Sequence, residues 1–175
     1  VLEIRTERPG EENAIHDVVF GAFASENEAG LVARIRASEH FVPEWSLVAV
    51  LNGQLVGHVM ASYVSLVDGD VRRRVPSLSP LSVVFDHQNR GIGSALVPAL
   101  TQVVDDAGEP LIVLEGDANY YSRFGFEYAP ALGIHIHLPS WAPPEAAQVL
   151  RLRAYDPAWK GEIVYPPAFD DVTDA

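Results

Sequence analysis

The sequence contains no cysteine. Disulfides, thiolate zinc sites and a cysteine nucleophile are therefore excluded. No apolar run is long enough to cross a membrane, and the start shows no signal-peptide pattern, so cytoplasm is the expected location. Positive charge is scarce. Twelve Lys and Arg stand against 24 Asp and Glu, for a formal net charge of −12. Such a chain is poorly matched to a nucleic acid, which is bound through clustered cations. Its field steers cationic partners inward and acidic ones away, although an acidic surface also serves solubility alone. There is no Gly-x-Ser-x-Gly elbow of the kind a Ser-His-Asp hydrolase needs. No internal repeat or low-complexity tract is present. At 175 residues and 48% apolar content, the length and composition suit one domain with a sizeable core. The expected domain is residues 1–175, with an irregular proline-rich segment from about 157.

What is present is most informative from Leu81 to Leu96, reading Leu-Ser-Val-Val-Phe-Asp-His-Gln-Asn-Arg-Gly-Ile-Gly-Ser-Ala-Leu. An apolar strand runs into a polar turn, then into Gln88-x-x-Gly91-x-Gly93, then into a helix. Glycines let the backbone approach a ligand without Cβ clashes. The turn gathers N–H groups at the positive end of a helix dipole, which suits a pyrophosphate. The dinucleotide fingerprint fails because Leu96 stands where its third glycine belongs, and a triphosphate loop fails for want of Gly-Lys-Ser/Thr. The competing structural reading is a glycine-containing strand-to-helix turn with no ligand.

Around this turn the chain alternates element types. Leu2 to Arg5 reads as a short strand. Ile15, Val18, Val19 and Ala22 share a face of a helix from about Glu11 to Ala24. Leu31, Val32 and Ile35 do so in a second, from about Glu28 to Ser38. Trp45–Leu51 and Leu55–Val64 read as strands joined at Asn52-Gly53, a hairpin signal. A further strand follows Asp68-Gly69 and is expected to be interrupted by Pro76 and Pro80 before Leu81. Ile92, Leu96, Leu100, Val103, Val104 and Ala107 keep helical spacing over Arg90 to Ala107. Pro98 inside that helix is expected to bend it. Leu111–Leu114 is an apolar strand, Asn119–Phe124 a short helix stopped by Gly125, and Val149–Ala154 the last clear strand. The strand–helix–strand unit in the middle implies a local parallel pair within an α/β, mixed sheet.

Downstream of the turn stands Asn119-Tyr120-Tyr121-Ser122-Arg123-Phe124-Gly125-Phe126. The two segments together resemble the GNAT superfamily of N-acetyltransferases. Gln88 to Gly93 is similar to its acyl-CoA-binding motif. Tyr121, four before Gly125-Phe126, is similar to its second signature. The resemblance is best from about Trp45 to Tyr128. The whole chain also resembles a bacterial GNAT subgroup through Phe41-Val42-Pro43-Glu44, Gly116 to Phe126, and Tyr165 to Phe169. The resemblance implies a single mixed, mostly antiparallel sheet flanked by helices, with a central parallel strand pair splayed for acetyl-CoA. It implies acetyl-CoA as co-substrate, no metal, and transfer of the acetyl group to a small-molecule amine. The oligomeric state is open, a homodimer included.

Within that reading Gln88, Asn89, Arg90, Gly91, Ile92, Gly93 and Ser94 are expected at the pyrophosphate. Ser82 and Val83 are expected to offer their main chain to the pantetheine arm as an added pseudo-strand. Arg90, Arg123 and Arg72-Arg73-Arg74 are the cations available against the coenzyme's charge. Asn119 either caps its helix, the plainer reading, or binds the pantetheine arm or adenine-side phosphates. Tyr121 is assigned as the general acid that protonates the leaving thiolate, since a phenol near ~10 can serve a thiol near ~8.5. Its structural alternative is a packed ring bonded to a carbonyl. Glu115, at the end of the Leu111 strand, is the first candidate for general base. His58, Glu44 and a water chain remain open beside it. His135-x-His137 resembles a metal pair without a clear third ligand. Two other readings stand: a non-catalytic acyl-CoA-binding protein with a regulatory or partner-binding role, and an enzyme using another acyl donor such as succinyl-CoA.

Overall fold

Residues 1 to 170 are described by the structure, a computed structural model. Nine strands form one mixed sheet in which β1 (Leu2–Thr6), β2 (Phe41–Leu51), β3 (Gln54–Asp68), β4 (Val71–Val83), β5 (Leu111–Glu115), β8 (Ala147–Arg151) and β6 (Glu127–Tyr128) are successive neighbours. β9 (Gly161–Val164) pairs with β3 and with β7 (Ile134–His135). Most pairings are antiparallel, and β4 meets β5 in parallel at Ser77↔Val113. The helices are α1 (Glu12–Phe23), α2 (Glu26–Arg36), α3 (Ile92–Asp106) and the single turn α4 (Ala118–Tyr121). No helix among the described residues is long and apolar enough to cross a membrane.

The chain divides into two compact units. The first comprises Val1–Ser62 and Leu78–Val103. Its hairpin turns at Asn52 and Gly53, both with positive φ (51° and 84°), the pair a tight antiparallel turn requires. Ile15, Val18, Val19, Leu31, Val32 and Ile35 are buried, as their helical spacing predicts. α3 packs onto β3 at Gly57. A Cβ there would lie 3.0 Å from Leu96 and 3.1 Å from Ile92, so glycine sets how closely the helix approaches the sheet. α3 continues as one element through Pro98, which faces solvent while Leu96, Val97 and Leu100 are buried.

The second unit comprises Tyr63–Ser77 and the chain from Val104 onward. Here β5 is fully buried up to Leu114 and lies antiparallel to β8, Leu111↔Arg151 through Glu115↔Ala147.

Three expectations need correcting. β4 is not interrupted by Pro76 and Pro80 but runs through both. A strand survives a missing N–H where the ladder on that side is sparse, and the β4–β5 pairing is registered at Ser77↔Val113 alone. β2 begins at Phe41, before Pro43, which sits in the register shift between Phe41↔Ser62 and Ser46↔Met60. The segment from 157 is not wholly irregular. It contains β9, registered on β3 through Ser65↔Val164, Leu66↔Ile163 and Val67↔Glu162. Gly161 makes this possible. Its φ is +134°, and a Cβ would stand 2.3 Å from the Val67 carbonyl oxygen.

Candidate active site

In the first unit, β4 ends in the turn that leads to α3. Val84 N–H still donates to Val56 O (2.9 Å), and a 3-10 turn over Phe85–His87 then reverses the chain. Gln88 Nε2 donates to Val83 O at 3.0 Å. The motif's glutamine therefore clamps the strand end to the turn. Asn89 (φ 62°) and Gly91 (φ 82°) both take the left-handed conformation, which curls successive N–H groups toward one side. Ala95 N–H donates to Gly91 O (3.0 Å) and closes the first turn of α3. The N–H groups of Ile92, Gly93 and Ser94 precede that bond, at the positive end of a 15-residue helix. Gln88, Asn89, Arg90 and Gly91 are exposed, and nothing lies within 4 Å of where a Gly91 Cβ would stand. Ser82 is 1% exposed, and its Oγ has no hydrogen-bond partner among the described residues. A phosphate-bearing ligand with an amide-rich arm fits this set: an open N–H cradle after a strand with an orphaned hydroxyl.

The same unit holds His58 and Glu44. His58 is fully buried, its Nε2 2.9 Å from Ser46 Oγ. Burial, with Arg36 adding to it, lowers its pKa to about 3. A neutral, sealed imidazole is a core residue. Glu44 is exposed on β2.

In the second unit the residues expected to be catalytic gather at the end of β5. Gly116 is held on both faces: its N–H donates to Ala146 O (3.0 Å), and its carbonyl accepts from Gln148 Nε2 (3.0 Å). Against this fixed peptide lies the ring of Tyr121. A Cβ on Gly116 would meet Tyr121 Cε2 at 2.5 Å. The tyrosine expected to act as acid is thus seated one residue from Glu115, the carboxylate expected to act as base. Tyr121 stands edge-on to Phe126 (5.7 Å) and Tyr120 (4.9 Å), and burial, then Tyr120, pushes its hydroxyl up. It is protonated at neutral pH, as an acid must be. Burial disfavours a thiolate in the same way, so donor and acceptor move together. Tyr120 instead packs on Phe124 and under Arg123 (4.6 Å).

α4 is not capped by Asn119. Asp117 is the N-cap, accepting from Asn119 N–H at 2.9 Å, and its extended backbone gives its carboxylate that reach. Asn119 occupies the second helical position and is exposed. Gly125 stops the turn with φ 93°, as its position predicts. His137 lies 3.6 Å from Glu162, and among the described residues no three metal-binding side chains cluster.

Glu115 has a partner that lies far from it in sequence. Tyr165 OH donates to Glu115 Oε2 at 2.5 Å. Tyr165 follows β9 directly and packs on Phe169 (5.1 Å), itself buried. The signal in the sequence is the Tyr165-to-Phe169 segment. The steric requirement for Gly116 likewise shows only in the fold.

Comparison with known proteins gives the family. A family model for an acetyltransferase (GNAT) domain matches residues 3–129, so the chain belongs to the GNAT acetyltransferase family. It is similar to the N-acetyltransferase YhbS of Escherichia coli strain K12, 30% identical over 149 residues, 85% of this chain and 86% of that one. It is also similar to YjhQ of the same strain, 32% identical over 116 residues, 65% of this chain and 62% of YjhQ. The crystal structure of YhbS in complex with CoA superposes with a TM-score of 0.85 at 28% identity, covering 97% of this chain and 92% of that one. A GNAT family acetyltransferase from Brucella melitensis in complex with acetyl-CoA gives 0.76 at 31% identity, covering 97% and 99%.

Proposed function

We propose that the chain is an acetyl-CoA-dependent N-acetyltransferase acting on the amine of a small acceptor by direct transfer in a ternary complex. The turn from Gln88 to Ser94 binds the pyrophosphate through main-chain N–H groups. Ser82 and Val83 hold the pantetheine arm, with Arg90 and Asn119 adding polar contacts. Glu115 takes the proton that the amine sheds as its nitrogen forms the new C–N bond. Tyr121 supplies a proton to the thiolate released as the C–S bond breaks. Water restores both groups, and the balance is amine plus thioester to amide plus thiol. The acidic composition favours a cationic or neutral amine, and the cytoplasm is the location that goes with this reading.

The observation that supports an enzyme over a non-catalytic acyl-CoA-binding module is the seating of Tyr121 on Gly116, beside Glu115. Ligand binding alone has no need of a phenol and a carboxylate fixed at one strand end. Release of free thiol from acetyl-CoA across a panel of amines tests the proposal. Amine-dependent release supports it. Tight coenzyme A binding with no release under any amine would favour the binding module.

A further inference from the structure

The tail after β9 is built for a purpose beyond closing the sheet. Gly161 lets it pass close against Val67, β9 fixes its register on β3, and Phe169 is buried behind it. The first residue after the strand, Tyr165, reaches Glu115 at a separation of 50 in sequence. It bonds Oε2 only. Among the described residues Oε1 accepts no hydrogen bond. Resting on the reading of Glu115 as general base, we propose that Tyr165 is its positioning residue, the hydroxyl holding Oε2 so that Oε1 is turned toward the acceptor amine.

Electrostatics agree with the geometry. Burial raises the Glu115 pKa, and the hydrogen bond from Tyr165 opposes it. Among the described residues no charged side chain contributes to that shift. β8 sets Ala147 opposite Glu115 and the neutral Gln148 on Gly116. The basic side chain of β8, Arg151, is bound to Glu127 at 2.7 Å. α4 contributes Tyr121, protonated at neutral pH. Among the described residues Tyr165 is the donor that draws the Glu115 pKa down against burial. The sign follows: the active form of Glu115 is deprotonated, so losing the hydroxyl lets its pKa rise and moves the acid limb of activity to higher pH.

The test compares wild type, Tyr165→Phe and Glu115→Gln with acetyl-CoA and one fixed amine, whose own titration is then common to all. Tyr165→Phe keeps the ring on Phe169. Its kcat should fall about tenfold, with the acid limb of kcat/KM displaced upward by about one pH unit, the size expected for one hydrogen bond to a charged group. Calorimetric affinity for coenzyme A should hold within about twofold. A lowered melting temperature with an unmoved acid limb, while Glu115→Gln is inactive, would overturn the positioning role and leave the base standing. Full turnover in Glu115→Gln would remove the base reading itself, and the role of Tyr165 with it.

Discussion

In the proposed reading the Gln88–Ser94 turn and the end of β5 do different work, and they are made of different material. The turn is made of main chain. Asn89 and Gly91 in left-handed conformations and the start of α3 supply it, and the glutamine side chain serves the backbone by binding Val83 O. The β5 end is made of side chains from three separate segments: Glu115 from the strand, Tyr121 from α4 and Tyr165 from the tail. Pyrophosphate binding needs many weak donors in a fixed curve, which local sequence can encode. Proton transfer needs single groups of chosen acidity held in place, which only the folded chain can bring together.

Four changes would sharpen or break that contrast. Tyr121→Phe should lower turnover by roughly 10²–10⁴-fold, the usual range for a general acid. Steady-state thiol release at saturating acetyl-CoA measures it. If Tyr120→Phe were the crippled variant and Tyr121→Phe normal, the acid would be the wrong tyrosine. Gly116→Ala should cost roughly 10- to 100-fold in kcat, since its methyl displaces the Tyr121 ring and small misplacements are costly in catalysis. Normal kcat with a folded near-ultraviolet spectrum would show that the seat does not matter. Gly91→Val forces a β-branched residue into φ 82°. Strain of about 1–3 kcal/mol, if carried by the bound state, corresponds to about 5- to 150-fold in coenzyme affinity. The smallest effect concerns the acceptor. With the coenzyme saturating, kcat/KM for the best amine should fall a few-fold as the Debye length shortens from about 30 Å at 0.01 M salt to about 8 Å at 0.15 M. A salt-independent value, or a preferred acceptor of net negative charge, would show that the net field does not select it.

The same contrast explains what could be read in advance. The turn was legible because its determinants lie within seven consecutive residues, and glycine at positive φ has few substitutes. The hairpin at Asn52-Gly53 and the buried faces of α1 and α2 were legible for the same local reason. The Glu115–Tyr165 bond was not, because it joins residues 50 apart and depends on β9. That strand was hidden in a proline-rich tail, and its requirement for Gly161 appears only when Val67 O is seen 2.3 Å from the missing Cβ. Of the two roles open to Asn119, the cap falls to Asp117, which stands two residues earlier and offers an equally good side chain. Sequence cannot say where a four-residue helix begins. His58 could be named as a base candidate, but only the fold shows it sealed with Ser46.

The division of labour meets its most direct test in one calorimetric series, coenzyme A titrated into wild type, Gly91→Val and Tyr121→Phe. Gly91→Val should lose about 5- to 150-fold in affinity, and Tyr121→Phe should match wild type. Unchanged affinity in a well-folded Gly91→Val, or a comparable loss in Tyr121→Phe, would contradict it.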